Sequence, residues 1–82
     1  MQVTVRINGI LARKLGMARL SVRLTAPATI QDLNQQLQSQ YPHLSAEIRG
    51  TVAVIGGAHQ AATAVLQDGQ EVALLMPIVG GC

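Results

Sequence analysis

Residues 68–82 read DGQEVALLMPIVGGC, and this stretch organises the rest of the chain. Its Asp-Gly pair is a strong turn signal, and Glu71 to Met76 is predicted to be the last strand. The Val72-Ala73-Leu74-Leu75 run within it is apolar on both faces, as expected of a central strand. Pro77 ends that strand because proline cannot donate a ladder hydrogen bond. The sequence therefore predicts a central last strand followed by a short tail. The apolar side chains of the strand are interpreted as core, with contact to a partner as the alternative.

The tail, residues 77–82, is the part of the chain best suited to covalent chemistry. Gly80 and Gly81 have no Cβ, so together they form a thin thread that extends or bends freely. Such a thread fits a narrow channel and brings a terminal carboxylate to a buried active site. Its six residues span at most about 20 Å, enough to reach from one protein's surface into another's interior. An inert, floppy terminus is the plainer interpretation, since glycine is common at chain ends.

Composition indicates one small domain with an aliphatic core. The chain has 82 residues, of which 49% are hydrophobic and 12% charged, with no Phe or Trp. A chain of this size buries roughly 60% of its unfolded surface, which is enough for a small core. Cys82 is the single cysteine, so an internal disulfide is excluded. We expect residues 1–76 to form the domain and residues 77–82 to form a flexible tail.

Nothing in the sequence indicates secretion, a membrane or a nucleic acid. Residues 1–7 alternate polar and apolar side chains and lack the apolar centre of a signal peptide. The longest apolar run is interrupted by Pro77 and is too short to span a bilayer. Residues 1–27 hold five basic and no acidic residues, yet lack the aromatic side chains that stack on bases. We expect a cytoplasmic protein whose basic face is solvated or meets an acidic protein partner.

Hydrophobic periodicity gives the order of the elements before the last strand. Val3 to Ile7 and Leu20 to Thr25 alternate apolar and polar residues, which predicts two strands paired as an antiparallel hairpin. Asn8-Gly9 is typical of a turn, and residues 9–17 are interpreted as a connection. These strands would place their charged side chains on one exposed face.

An amphipathic helix and two short strands follow. The apolar residues of 30–37 lie at helical spacing, Thr29 is positioned as the N-cap with Asp32 as its capping-box partner, and Tyr41-Pro42 ends the helix. Residues 43–50 are interpreted as a loop. A third strand over 51–55 and a small edge strand within 58–64 complete the pattern. The fold class is α+β, with a mixed sheet of four or five strands packed on one main helix.

Three stretches resemble a known family. Val52-Ala53-Val54-Ile55-Gly56 is similar to its strand and turn, residues 68–73 to its Asp-Gly turn and strand, and residues 74–81 to its closing hydrophobic–Pro–hydrophobic–Gly-Gly motif. The family is that of the bacterial sulfur carriers, which includes the small subunit of molybdopterin synthase (MoaD) and the thiamine-pathway carrier (ThiS). The resemblance implies the ubiquitin-like β-grasp fold. Length and the helix ending in Tyr41-Pro42 resemble the MoaD branch more than the ThiS branch.

The resemblance implies a carrier rather than an enzyme, with no bound cofactor and no metal. In the family, a ubiquitin-activating-type adenylyltransferase uses ATP to activate the last glycine, and a sulfur donor converts it to a thiocarboxylate. A sulfur-accepting synthase subunit then receives the sulfur. By position, Gly81 is the acyl carbon and Gly80 is the spacer. Pro77, Ile78 and Val79 are the implied partner contacts.

Cys82 departs from the family pattern, which usually ends at the second glycine. Because Gly81 is locked in an amide here, it cannot be adenylated as written. The leading hypothesis is a precursor from which a C-terminal peptidase removes Cys82. The alternatives are an exposed thiol that forms mixed disulfides, an engineered addition, or a chain that has lost carrier function.

Two other functions stay open. The chain could be a protein modifier attached through Gly81 to lysines of other proteins, or a plain binding domain that uses its sheet surface with the tail inert. His43 and His59 are isolated from other metal-ligating residues in the sequence, and Gly56-Gly57 precedes no helix. The sequence therefore predicts neither a metal site nor a phosphate-binding loop.

Overall fold

The computed structural model describes residues 1–77, so the predictions for Ile78, Val79, Gly80, Gly81 and Cys82 fall outside it. The strands are β1 (Gln2–Ile7), β2 (Arg19–Arg23), β3 (Val52–Ile55), β4 (Ala58–Gln60) and β5 (Glu71–Leu75). The helices are α1 (Gly9–Leu15), α2 (Ile30–Gln40) and α3 (Ser45–Arg49), with a 3₁₀ turn at Pro42–Leu44. None of these helices combines the length and apolarity that crossing a membrane requires.

The five strands form one mixed sheet in the order β2-β1-β5-β3-β4, with β5 in the middle. β5 runs parallel to β1, with Val72 opposite Val5. It runs antiparallel to β3, with Leu74 opposite Ala53. The predicted central last strand is therefore confirmed, and so is the Asp68-Gly69 turn before it, where Gly69 has a φ of +80°.

The core lies on one face of the sheet, where alternate strand residues point to the same side. Val3, Val5 and Val72 are fully buried there, and Leu74 is 1% exposed. Leu33 of α2 is also fully buried and belongs to the same cluster. The prediction that apolar side chains of the last strand belong to the core is thus correct for Val72 and Leu74. The core consists of aliphatic side chains packed between α2 and the sheet.

The residues that begin and end α2 have the roles that the sequence predicts for them. The Asp32 N–H donates to the Thr29 hydroxyl over 3.2 Å, and the Thr29 N–H donates to the Asp32 carboxylate over 2.8 Å. This reciprocal pair is the predicted capping box, and it satisfies donors that the first helical turn leaves free. Tyr41 is the C-cap, and Pro42 begins the 3₁₀ turn that follows.

Two segments interpreted from sequence as irregular are helical. Residues 9–17 contain α1, whose seven residues are followed by the C-cap Gly16 in the left-handed conformation. Residues 43–50 contain the end of the 3₁₀ turn and the five residues of α3. The prediction of a turn at Asn8-Gly9 was wrong, because Asn8 is the N-cap of α1 and Gly9 its first residue. Both helices are too short to show a full 3.6-residue periodicity, so the sequence pattern could not reveal them.

Candidate functional site at the tail exit and the open sheet face

The tail leaves the domain from the end of the central strand. Leu75 is the last residue of β5, Met76 is half-buried against the core, and Pro77 is exposed. Of the residues predicted to act in the tail, Pro77 alone lies in the described part of the chain. Because Pro77 is exposed, the tail starts on the surface, at the end of the sheet where β1 also finishes.

Asn8 anchors this exit. Its side-chain Oδ1 accepts a hydrogen bond from the Met76 N–H over 3.1 Å, and it makes no capping hydrogen bond to α1. An asparagine at an N-cap ordinarily bonds the first turn of its own helix. Here the side chain is used instead to hold the residue that follows β5, so the point where the tail begins is tied to the end of β1.

The face of the sheet opposite the core, which we call the open face, is apolar over β5 and β3. Ala73 and Leu75 lie beside Val54 and Val52 in register, and all four are half-buried. No side chain on this part of the sheet is fully covered by residues 1–77. A contiguous apolar surface of this kind on a small domain is typical of an interaction site.

The other half of the open face, over β1 and β2, is basic. Arg6 and Arg19 are cross-strand partners, which would repel each other if left alone. The Glu71 carboxylate lies 3.8 Å from each guanidinium and relieves that repulsion. Arg23 adds a further positive charge on the same strand as Arg19. The open face therefore combines an apolar half with a half of net positive charge.

A concave pocket of about 410 Å³ lies on the open face beside the tail exit. Its lining includes Asn8, Val54, Gly56, Gly57, Ala73 and Leu75. The Gly56-Gly57 pair has positive φ at both residues and forms the turn between β3 and β4, as the sequence analysis expected of a turn. The pocket thus joins the apolar half of the open face to the point from which the tail departs.

The histidines set aside in the sequence analysis are not brought together by the fold. His59 lies on β4 opposite Val54, and His43 lies in the 3₁₀ turn after α2. Within residues 1–77, no three side chains of His, Cys, Asp or Glu are grouped as metal ligands would be.

The described domain thus ends in a segment that leaves a central strand beside an open sheet face. The model of the ThiS family matches residues 5–81, nearly the whole chain and including Gly80 and Gly81. The chain belongs to the ThiS family. The resemblance to the ThiS and MoaD sulfur carriers is thereby confirmed, whereas the removal of Cys82 stays a prediction. A search of curated protein sequences finds no match.

Solved structures of small carrier-like and modifier-like proteins share the fold. SAMP1 from Haloferax volcanii superposes with a TM-score of 0.84 at 21% identity, covering 99% of this chain and 100% of that chain. A putative molybdopterin converting factor subunit 1 from Pyrococcus furiosus gives a TM-score of 0.83 at 16% identity, covering 95% and 99%. A protein of the complex of subunits 1 and 2 of molybdopterin-converting factor from Helicobacter pylori gives 0.67 at 18% identity, covering 99% and 100%. These likenesses establish the β-grasp fold of the ThiS family member.

Sequence reasoning found the tail and the central strand but missed three parts of the site. It did not identify the anchoring role of Asn8, because the Asn-Gly pair was interpreted as a turn. It named Ala73 and Leu75, which alternate with Val72 and Leu74, as an alternative partner-binding stripe, but interpreted both stripes as core. It also did not place Val54 on the open face, which required knowing that β3 pairs with β5.

Replacing Asn8 with alanine is expected to loosen the tail exit without unfolding the domain. The lost hydrogen bond is solvent-exposed, so its net contribution is at most about 1 kcal/mol. The Met76 amide should then exchange its hydrogen up to about fivefold faster, measured by NMR with the Leu74 amide as internal reference. Equal acceleration at Leu74 would indicate global destabilisation and contradict a local anchor.

Proposed function

We propose that this chain is a sulfur carrier whose Gly81 carboxylate, freed by removal of Cys82, is converted to a thiocarboxylate. The observation that carries the proposal is the exit of the chain from the central strand at exposed Pro77, four positions before Gly81 and beside an open face suited to a partner. The described domain contributes a platform and an anchor at Asn8. The carrier itself acts without a bound cofactor, while ATP and a sulfur donor are used by its partner enzymes.

The chemistry needs activation because a carboxylate is a poor electrophile. In the first step, a carboxylate oxygen of Gly81 attacks the α-phosphorus of ATP, and pyrophosphate leaves. In the second step, hydrosulfide supplied by the donor attacks the acyl carbon, the bond to AMP breaks, the S–H proton passes to water, and Gly81 carries sulfur in place of one oxygen. Glycine at positions 80 and 81 leaves the acyl carbon open to both attacks, since neither residue has a Cβ.

The open face is proposed as the docking surface for the adenylyltransferase and the sulfur-accepting synthase subunit. Leu75, Val54 and Ala73 supply an apolar centre, while Arg6 and Arg19 supply a positive rim. An apolar patch with an acidic border complements this surface, and such charge matching raises the rate of encounter. The Helicobacter pylori complex of subunits 1 and 2 supports a protein of this fold working together with a second subunit.

The proposal is tested by intact mass spectrometry of the chain. A form ending at Gly81 is incubated with ATP, a sulfur donor and the adenylyltransferase of the same cell, and we expect the mass increase of sulfur replacing oxygen. The full-length chain ending in Cys82 should stay unchanged in the same mixture. Protein recovered from its native cell should end at Gly81, because the proposed peptidase removes Cys82.

Two outcomes contradict the proposal. A Gly81-terminated form that never gains sulfur under these conditions would exclude the carrier function. Protein that ends only in Cys82 in cells with the pathway active would exclude trimming.

A protein modifier is the second candidate, supported by the fold shared with SAMP1 of Haloferax volcanii. A modifier would form an isopeptide bond between Gly81 and lysines of other proteins. Immunoblots of cells expressing a tagged chain should then show conjugates of higher mass, which depend on Gly81. A carrier gives the sulfur mass increase without such conjugates.

A further inference from the structure

The chain is nearly free of lysine. Six residues are Lys or Arg, and Lys14 is the single lysine among them. A guanidinium stays protonated in proteins and does not act as a nucleophile, whereas a deprotonated lysine amine does. The positive charge of the open face is accordingly carried by Arg6, Arg19 and Arg23. Apart from the amino group of Met1, Lys14 is thus the amine of this chain that can attack an activated acyl group.

Both amines are engaged in the folded domain. Lys14 Nζ donates to Glu47 Oε2 over 2.6 Å, which joins the end of α1 to α3. The Met1 amino group donates to the Leu24 carbonyl over 2.8 Å in a partly buried position. The hydrogen bond from Lys14 lowers the pKa of the Glu47 carboxyl below its ordinary 4.5, with the Glu47 backbone N–H assisting, so Glu47 is a carboxylate at neutral pH.

Lys14 lies within reach of the tail. The Met76 N–H donates a hydrogen bond to the side chain of Asn8, the N-cap of α1. Lys14 lies in the same helix, six residues after Asn8. Six residues of helix advance about 9 Å. Five residues from Met76 to Gly81 span up to roughly 17 Å. The acyl carbon of Gly81 can therefore meet the amine of its own chain, at an effective concentration that is millimolar for a short flexible link.

We propose that Lys14 is the acyl-acceptor site of this chain and that Glu47 restrains it from reacting with an activated Gly81. This inference rests on the proposed function, because that function is what makes Gly81 an acyl adenylate. In the restrained reaction, the Lys14 ammonium first leaves Glu47 and loses a proton to water. Its lone pair then attacks the acyl carbon, the bond to AMP breaks, and the nitrogen gives a second proton to water as the amide bond forms. The product is an isopeptide within one chain or between two copies, and it can no longer carry sulfur.

The restraint is measurable without any partner enzyme. The folded chain is acetylated with N-hydroxysuccinimidyl acetate at neutral pH, with Nα-acetyl-lysine amide in the same tube as reference, and the Lys14 rate is followed by mass spectrometry. Because the ion pair is partly exposed, we expect Lys14 to react about two- to fivefold more slowly than the reference. Glu47→Gln should bring the rate up to that of the reference, and 1 M salt should bring it part of the way.

Glu71→Gln is the matched control. It removes a carboxylate that also contacts basic side chains, Arg6 and Arg19, but not Lys14. The Lys14 rate should therefore be unchanged in this variant. Equal Lys14 rates in the unaltered chain and in Glu47→Gln would overturn the proposal, and so would an equal acceleration by Glu71→Gln.

A second experiment observes the isopeptide itself. Fusion to an intein yields the chain as a thioester at Gly81, so activation needs no adenylyltransferase. The Lys14 amine then attacks the thioester carbon and the thiol leaves. We expect Glu47→Gln to form the Lys14–Gly81 product about two to five times faster than the unaltered chain, and Lys14→Arg to form none. An equal rate in both chains overturns the restraint, whereas a failure of the proposed function would appear as missing thiocarboxylate and leave these rates unaffected.

Discussion

Replacing Leu75 with aspartate is expected to slow thiocarboxylate formation at Gly81 at least thirtyfold while leaving the chain folded. Leu75 is half-buried on the open face, beside Val52 and the pocket at the tail exit. A carboxylate there would lie unpaired under a docked partner, and disrupting a central interface residue costs about 2 kcal/mol or more. The rate is measured with the adenylyltransferase, ATP and sulfur donor in the mass assay described above.

The fold should survive this change because Leu75 lies outside the core. We expect Leu75→Asp to lower the free energy of unfolding by about 1 kcal/mol, the range of strand preferences. Gln35→Asp is the matched control, since Gln35 is exposed on α2. It should leave the rate of sulfur loading unchanged. Similar losses in both variants would show that added negative charge, rather than the open face, is responsible.

Replacing Leu33 with alanine is expected to reduce the free energy of unfolding by about 3 kcal/mol. Leu33 is fully buried in the middle of α2, and its side chain belongs to the same core cluster as Val5 and Val72. The loss combines the lost transfer of apolar atoms with the cavity left behind. Because small domains are stable by only about 5–15 kcal/mol, this single change removes a large share of the total.

Urea denaturation followed by circular dichroism measures that loss. Ser39→Ala is the matched control on the same helix, because Ser39 is exposed and alanine is a favourable helix residue. It should shift the free energy of unfolding by less than about 0.5 kcal/mol. A Leu33→Ala loss below 1 kcal/mol would mean that α2 is packed far more loosely than its burial indicates.

Strands and helices could be predicted where the hydrophobic pattern extends over enough residues to show its period. Five residues of alternation in β1 and an eleven-residue helix with a capping box carry their own evidence. The Asp68-Gly69 turn followed by an apolar strand indicated a central β5. The helices α1 and α3 have seven and five residues, and their sequences do not complete enough turns to be distinguished from loops.

The candidate site was predictable in its tail but not in its surroundings. Gly80, Gly81 and Pro77 are adjacent in the sequence, so their motif is visible directly. The open face and the Lys14–Glu47 pair join residues that are far apart in the chain, the latter 33 positions apart. Such contacts depend on strand order and helix placement, which no local pattern contains. The partner roles of Ile78 and Val79 remain predictions, as do the cytoplasmic location and the domain boundary at residue 76.

The position of β5 in the sheet also determines the stage of synthesis at which the chain can complete its fold. Residues 71–75 fill the gap between β1 and β3, so the sheet cannot close before these residues have left the ribosome. The parallel ladder between β1 and β5 joins residues 67 positions apart, a separation that slows folding. A ribosome that stalls before residue 71 therefore releases a chain with no central strand, exposed to proteolysis. The strand from which the tail departs is therefore always made before a stable domain accumulates.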